Sequence, residues 1–391
     1  MKYTLAIDML CFSTTHFGGK DETTFNLLKG FEKNGVSKNI ICLCANEMVS
    51  VIKQYAPNIH LHIVPQLYFG KFKIKGMNRA NRIIHSLYVK CWIEKNKKNV
   101  KVFLFPNKPT TLWKYCIPTV LIPHDIQVFE ADKLPGVCYT EKEYKKDTSS
   151  IVRDFKNRDY IIAISDFDKA EMIKFMPWAT HKIKRIYDPI CFDKMGKEYS
   201  YGDEYLTVLN IQWLHKNVET VIRAYALIAN QITYTLVLVG RKPKDVDRLN
   251  MIVNELGLEN RITFTGFVNT KKLDEIVRKT RIYINASYFE GFGMTAVEMM
   301  GRGIPTIVAK NTAQPEVTRG LCCYYEPSDS HTALADAIMH ELKNPTSQEK
   351  LKLIADEMRK YYSYESIAKE YWQFIEKCER KQENVPEKVN V

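Results

Sequence analysis

The chain predicts an α/β fold built on two parallel sheets, each covered by helices on both faces. Three observations carry that prediction. Apolar, β-branched runs of strand length recur from end to end, segments of helical length separate most of them, and 391 residues exceed one domain at roughly 150 residues each. Hydrophobic residues make up 45% of the chain and aromatics 12%, which excludes a disordered protein, and no run of about 18 apolar residues offers a spanning helix.

The first strand is expected at 3–7. Asp8 interrupts the opening apolar run and no small-residue cleavage site follows, so this is a core strand rather than a secretory signal, and the protein is expected to be intracellular. Strands follow at 40–45, 60–64, 100–105, 119–122 and 159–164, most of them largely apolar rather than alternating, as strands buried on both faces should be. The segment 187–204 holds Pro189, Gly196 and Gly202 and has no period, which marks a linker. Strands resume at 205–209, 234–239, 261–265, 281–285, 305–308 and 322–325, with helices at 217–229, 246–256 and 332–342. The division is thus an N-terminal Rossmann-like domain over 1–186, the linker over 187–204 and a C-terminal Rossmann-like domain over 205–362. A closing amphipathic helix spans 363–380, and the polar tail 381–391 is expected to fray.

Charge is unevenly spread. Residues 1–185 hold 30 Lys+Arg against 17 Asp+Glu, whereas 186–391 hold 27 against 28, so the whole formal excess of +12 lies in the N-terminal half. Within it, 69–101 carries ten bases, among them Lys71, Lys73, Lys75, Arg79, Arg82 and Lys90, against Glu94 alone. Phe72, Ile74, Ile83, Ile84, Leu87, Tyr88 and Trp92 are interleaved with these bases. That pattern suits a basic amphipathic helix on an anionic membrane, or a solvated helix with its apolar side in the core; without a recognition motif, nucleic acid is not expected as a partner. The ten cysteines form no CxxC pair and read as small buried hydrophobes.

Ligands of open α/β sheets sit beyond the carboxyl ends of the strands, where a loop hands over to a helix. After the strand at 281–285 comes ASYFEGFGMTAVEMMGRGIPTIVA, with Glu290, Gly291, Phe292 and Gly293 in the turn and Glu298 a turn into the following helix. Two glycines let backbone approach an anion, and a carboxylate on either side suits sugar hydroxyls at the two ends of that anion. A sugar nucleotide has this layout.

These residues resemble the family 4 glycosyltransferases, retaining enzymes of the GT-B architecture, in which the two sheets face each other across a cleft. Their marker is Glu-x7-Glu with Gly-Phe-Gly after the first Glu, which Glu290 and Glu298 match; GRGIPTIVAKNTAQPEV resembles the run that follows, placing Pro305, Pro315 and Glu316. The resemblance implies donor contacts along Gly291, Phe292, Gly293 and Met294. In LNIQWLHKN, Lys216 matches the family lysine that binds the donor diphosphate, and a fixed ammonium there can lower the barrier by ~3 kcal/mol, the scale of one oxyanion-hole donor. Many members carry an arginine where Ile211 stands, so Arg241 is the candidate second phosphate cation, and the turn at Gly266, Phe267 and Val268 resembles the base-binding turn, with Phe267 as a wall. In the N-terminal half, Gly18 and Gly19 resemble the glycine pair that lets backbone approach the donor phosphate. His124 matches the family His-Asp, Ser165 a helix cap, and the closing helix one that crosses back to the first domain.

The Asp166/Asp168 and Asp245/Asp247 pairs fall at expected helix starts and read as caps, so no metal and no cofactor is expected. The activity implied is transfer of a hexose from a UDP- or GDP-type sugar to a saccharide or lipid-linked saccharide. An epimerase, a glycogen-type synthase or a non-catalytic subunit of the same architecture stand as alternatives.

Overall fold

A computed structural model describes all residues except 1, 15–17, 66–76, 108–112, 125, 136–138, 194–200 and 384–391. The chain divides into two compact units, one of Met1–Ile126, Lys142–Cys191 and Tyr362–Val391, the other of Gln127–Glu141 and Phe192–Tyr361.

The first unit is built on strands β1 (Tyr3–Asp8), β2 (Ile40–Cys44), β3 (His60–Ile63), β4 (Val100–Phe105), β5 (Thr119–Leu121), β6 (Tyr160–Ala163) and β7 (Ile183–Arg185). All pair in parallel, in the order β3-β2-β1-β4-β5-β6-β7. Leu5, Ala6, Ile7, Phe103, Leu104 and Phe105 are fully buried, which is why their strands read as unbroken apolar runs. Helices α1 (Gly19–Lys33), α2 (Val49–Tyr55), α3 (Met77–Asn96), α4 (Glu141–Asn157) and α5 (Asp166–Phe175) connect them. Strand β7 was not expected; two of its three residues are charged, and what makes it a strand is its pairing with β6.

The second unit has β8 (Tyr205–Leu209), β9 (Thr235–Val239), β10 (Ile262–Gly266), β11 (Thr280–Asn285), β12 (Thr306–Ala309) and β13 (Cys323–Tyr325), parallel in the order β10-β9-β8-β11-β12-β13. Its helices are α6 (Val218–Ile228), α7 (Val246–Glu255), α8 (Thr270–Arg278), α9 (Met294–Gly301), α10 (Gln314–Val317), α11 (His331–Lys343) and α12 (Gln348–Tyr362). One core packs Leu206, Ile222, Leu238, Ile282 and Ile338 on one face of the sheet, and another packs Val239, Tyr283, Met299 and Val308 on the other. Gly202 N–H bonds to the Thr280 carbonyl at 2.8 Å, so this unit is anchored before β8 begins.

The last helix, α13 (Tyr364–Glu383), returns to the first unit and lies along α1. Gly30 permits the contact: a Cβ there would overlap the Tyr364 carbonyl oxygen and the Ala368 Cβ. Ile190 N–H bonds to Tyr362 O at 2.7 Å and Tyr364 N–H to Ile190 O at 3.1 Å, so two remote stretches of chain run side by side here.

The cysteines are not all small buried hydrophobes, and Cys138 lies outside the described residues. Cys42, Cys44, Cys191 and Cys378 are buried, but Cys11, Cys91 and Cys116 are exposed and Cys322 and Cys323 half-buried, because Cys11 and Cys116 fall on loops and Cys91 on the outward side of α3.

Candidate active site

In the second unit the strand order reverses between β8 and β11, the place where an open α/β sheet leaves a crevice at its carboxyl edge. Lys216 follows β8 and Glu290 follows β11, so the two residues flank that point. Lys216 ends a single 3-10 turn, Leu214–Lys216, which breaks at Asn217 (φ 55°, ψ 46°); asparagine tolerates this left-handed conformation better than most residues. The Asn217 side-chain amide then donates to Ala286 O at 3.1 Å and Ser328 O at 2.8 Å, and Tyr288 N–H donates to His215 O at 2.8 Å. These bonds tie the loop after β8 to the loop after β11.

Lys216 Nζ consequently lies 2.6 Å from Glu290 Oε1, with both side chains largely out of solvent. The same oxygen accepts from Ser287 Oγ at 2.8 Å and Asn285 Nδ2 at 3.2 Å. Burial pushes the Glu290 pKa up, but the Lys216 and His215 charges and the hydrogen bonds from Lys216 and Ser287 outweigh it, holding the carboxyl below its ordinary value. The Glu290 backbone is held as well, its N–H donating to Thr312 Oγ1 at 3.1 Å and its carbonyl accepting from Ala313 N–H at 3.3 Å.

Gly293 begins α9 with φ 89°, a conformation that favours glycine. Glu298 lies one turn into this helix, half-buried. Gly291 and Met294 are likewise half-buried, whereas the Phe292 ring is buried at 2% exposure. Arg241, after β9, stacks its guanidinium 5.7 Å from the centroid of the Phe267 ring, after β10, and Phe267 is 74% exposed. Ile211 is buried in the core. Along the carboxyl edge of four adjacent strands, β10, β9, β8 and β11, the chain therefore presents an aromatic ring, a guanidinium, an ammonium and a carboxylate.

In the first unit, Gly18 caps α1 at its N-terminus, its N–H donating to Asp21 Oδ2 at 3.1 Å, and Gly19 is the first helical residue. A Cβ at Gly18 would meet nothing within 4 Å, so no packing within the described chain requires glycine there. His124, in the loop after β5, is buried with φ 67°, and its Nε2 donates to the Pro106 carbonyl at 2.6 Å.

The aspartate pairs differ from each other. Ser165 caps α5, accepting from Asp168 N–H at 2.9 Å, while Asp168 Oδ2 accepts from Ile164 N–H at 3.1 Å; Asp166 instead faces Arg185 at 3.6 Å. Asp245 sits at the start of α7 but makes no side-chain cap, its carboxylate being drawn to Arg248 at 2.8 Å, and Asp247 is exposed. Among the described residues no three His, Cys, Asp or Glu side chains converge as metal ligands.

Of the basic segment 69–101, Lys71, Lys73, Lys75, Phe72 and Ile74 lie outside the described residues. In α3 the apolar residues divide, Val89, Trp92 and Ile93 being buried while Ile83 and Leu87, four residues apart, are 43% and 50% exposed. No helix among the described residues is long and apolar enough to cross a membrane.

Asn285, Ser287, His215, Asn311 and Thr312 join the site although none is a marker position of the motifs. Asn285 left a signal, as a polar residue closing an otherwise buried strand; the others left none, since each matters through a contact made by folding.

Residues 202–358 match the family model for glycosyl transferases group 1. The serotype-specific mannosyltransferase WbdA of Escherichia coli is 24% identical over 309 residues, 73% of this chain and 36% of that protein. The O-antigen chain mannosyltransferase B of Escherichia coli is 25% identical over 242 residues, 58% of this chain and 61% of that one. The chain thus spans between a third and two thirds of these relatives' length. Among solved structures, sucrose-phosphate synthase from Thermosynechococcus elongatus superposes with a TM-score of 0.70 at 17% identity, covering 95% of this chain and 98% of that one, which speaks for the fold. Residues 202–358 are therefore similar to glycosyl transferases group 1, and the two Rossmann-like units have the GT-B fold.

Proposed function

We propose that the chain is a retaining glycosyltransferase that moves a hexose from a nucleoside-diphosphate sugar to a saccharide or lipid-linked saccharide, in the synthesis of a cell-surface polysaccharide or glycolipid. The observation that carries this reading is the buried Lys216–Glu290 pair at the strand reversal of the unit similar to group 1 transferases. A buried ion pair is weak evidence for stability, since desolvation offsets much of its attraction, and so suits a site that exchanges partners. In this reading Lys216 meets the diphosphate as negative charge builds on the departing oxygen. Glu290 then turns from the ammonium to the hexose hydroxyls, and Glu298 holds the ribose. Phe267 walls the base, Arg241 is the second phosphate cation, and Gly291, Gly293 and Met294 approach the donor by backbone. For the first unit, the family resemblance assigns Gly18 and Gly19 to a glycine pair open to phosphate and His124 to the acceptor. Lys216, Arg241 and backbone amides neutralise the diphosphate without a metal.

The exposed Ile83 and Leu87 on a basic helix support attachment to an anionic membrane surface on the cytoplasmic side. Relatives named as mannosyltransferases make mannose the first hexose to test. A thermal-shift panel of UDP, GDP, ADP, GDP-mannose and UDP-glucose tests the donor site, because a ligand at ~100 times its Kd stabilises by ~2.7 kcal/mol. One nucleotide should raise Tm and its sugar should be consumed; no shift with any of them, and no turnover, would overturn the reading.

A further inference from the structure

Resting on the assignment of Glu290 to the hexose, we propose that Thr312 is a positioning residue, held in a left-handed backbone conformation so that its hydroxyl fixes the Glu290 peptide. Thr312 lies in the loop after β12 with φ 48°. A β-branched side chain at positive φ is a steric outlier that glycine or asparagine would avoid, and such outliers persist where the surroundings over-determine them and concentrate at functional sites. Here the hydroxyl is fully engaged: it accepts from Glu290 N–H at 3.1 Å and donates to Asn311 Oδ1 at 3.2 Å. Asn311 is itself fixed, its amide donating to Ser287 O at 3.0 Å and its Oδ1 accepting from Gln314 Nε2 at 3.1 Å.

Ser287 closes the circuit by donating to Glu290 Oε1. The loop after β12 therefore holds Glu290 by its backbone, while Lys216, Asn285 and Ser287 hold its carboxylate. The difference matters at donor binding. When Lys216 leaves Glu290 for a diphosphate, the carboxylate loses its charged partner, and the backbone bonds from Thr312 and Ala313 keep the residue aimed.

Thr312→Gly and Thr312→Ser separate positioning from folding, because glycine relieves the backbone while removing the hydroxyl. In Thr312→Gly we expect Tm unchanged or raised, and faster hydrogen exchange at the Glu290 amide. We also expect kcat to fall by about tenfold to a hundredfold, with Kd for the free nucleoside diphosphate within about twofold of the parent. Thr312→Ser should restore slow exchange and most of kcat. Unchanged exchange in Thr312→Gly would overturn the clamp, and parental kcat in that variant would overturn its role in positioning. A parent that turns over no nucleotide sugar overturns the transferase reading instead, and the exchange comparison alone then decides the clamp.

Discussion

Glu290 and Glu298 share a motif but not an environment, and their variants should differ. If Glu290 meets the hexose as it gains positive charge, Glu290→Gln should lower kcat by ~2 to 4 kcal/mol of barrier without weakening the free nucleotide, because it also releases Lys216 for the diphosphate. It also leaves the buried Lys216 without its counter-charge, so Tm should fall as well. Glu298→Gln should instead weaken the free nucleoside diphosphate by ~1.5 to 3 kcal/mol, the worth of a hydrogen bond to a charged group. Calorimetry beside steady-state rates tells them apart, and equal weakening of the nucleotide by both would reverse the assignment. Two buried acids also give stability opposite pH dependences. Glu290, depressed below its ordinary 4.5, contributes stability present above that value and lost as pH falls through its folded pKa. Asp188 is pushed up to about 7 by burial, against the opposing hydrogen bond to Thr23 and charge of Lys20, and its Oδ1 finds no hydrogen-bond partner among the described residues. Its neutral form suits the fold, so its contribution is complete below pH 3.8 and lost as pH rises to about 7. Asp188→Asn should flatten the rise of Tm on acidification from pH 7 to 5; an unchanged slope would show that the carboxyl is not the group responsible. At this scale Lys216 and Glu290 are legible in the sequence because the spacing within each motif is local. Thr312 is not, because its partner lies 22 residues away and threonine gives no sign of positive φ.

Elements were more legible than residues. Most buried parallel strands announce themselves by continuous apolarity, and twelve of the thirteen strands among the described residues fall on expected runs, whereas β7 exists through its neighbour. In α3 the sequence showed that bases and apolar residues alternate but not which apolar residues the core takes; the structure assigns Trp92 and Ile93 to the core and leaves Ile83 and Leu87 outside. That division sharpens the membrane test. Ile83→Ser with Leu87→Ser should reduce sedimentation with anionic liposomes, and binding should weaken as salt shortens the screening length to about 3 Å near 1 M. Equal binding to neutral vesicles, or no loss in the double variant, would count against α3.

For the whole molecule, the two-sheet division was legible because helix and strand alternate twice over, but the return of α13 to the first unit is a long-range pairing that only the family resemblance suggested. The charge arithmetic bears on chemistry at the same scale. With Asp168 spent on backbone and Asp166 and Asp245 turned toward arginines, neither aspartate pair is arranged to share a cation, and transfer should survive EDTA; a strict Mn²⁺ or Mg²⁺ requirement would refute this. The close seating of α13 on Gly30 also sets an order of assembly during synthesis. The second unit, running from Phe192 to Tyr361 apart from one short excursion, emerges almost whole before the ribosome delivers the helix that completes the first. At about 5 to 20 residues per second, those 170 residues delay the delivery of α13 to the surface of α1 around Gly30 by roughly 10 to 30 s.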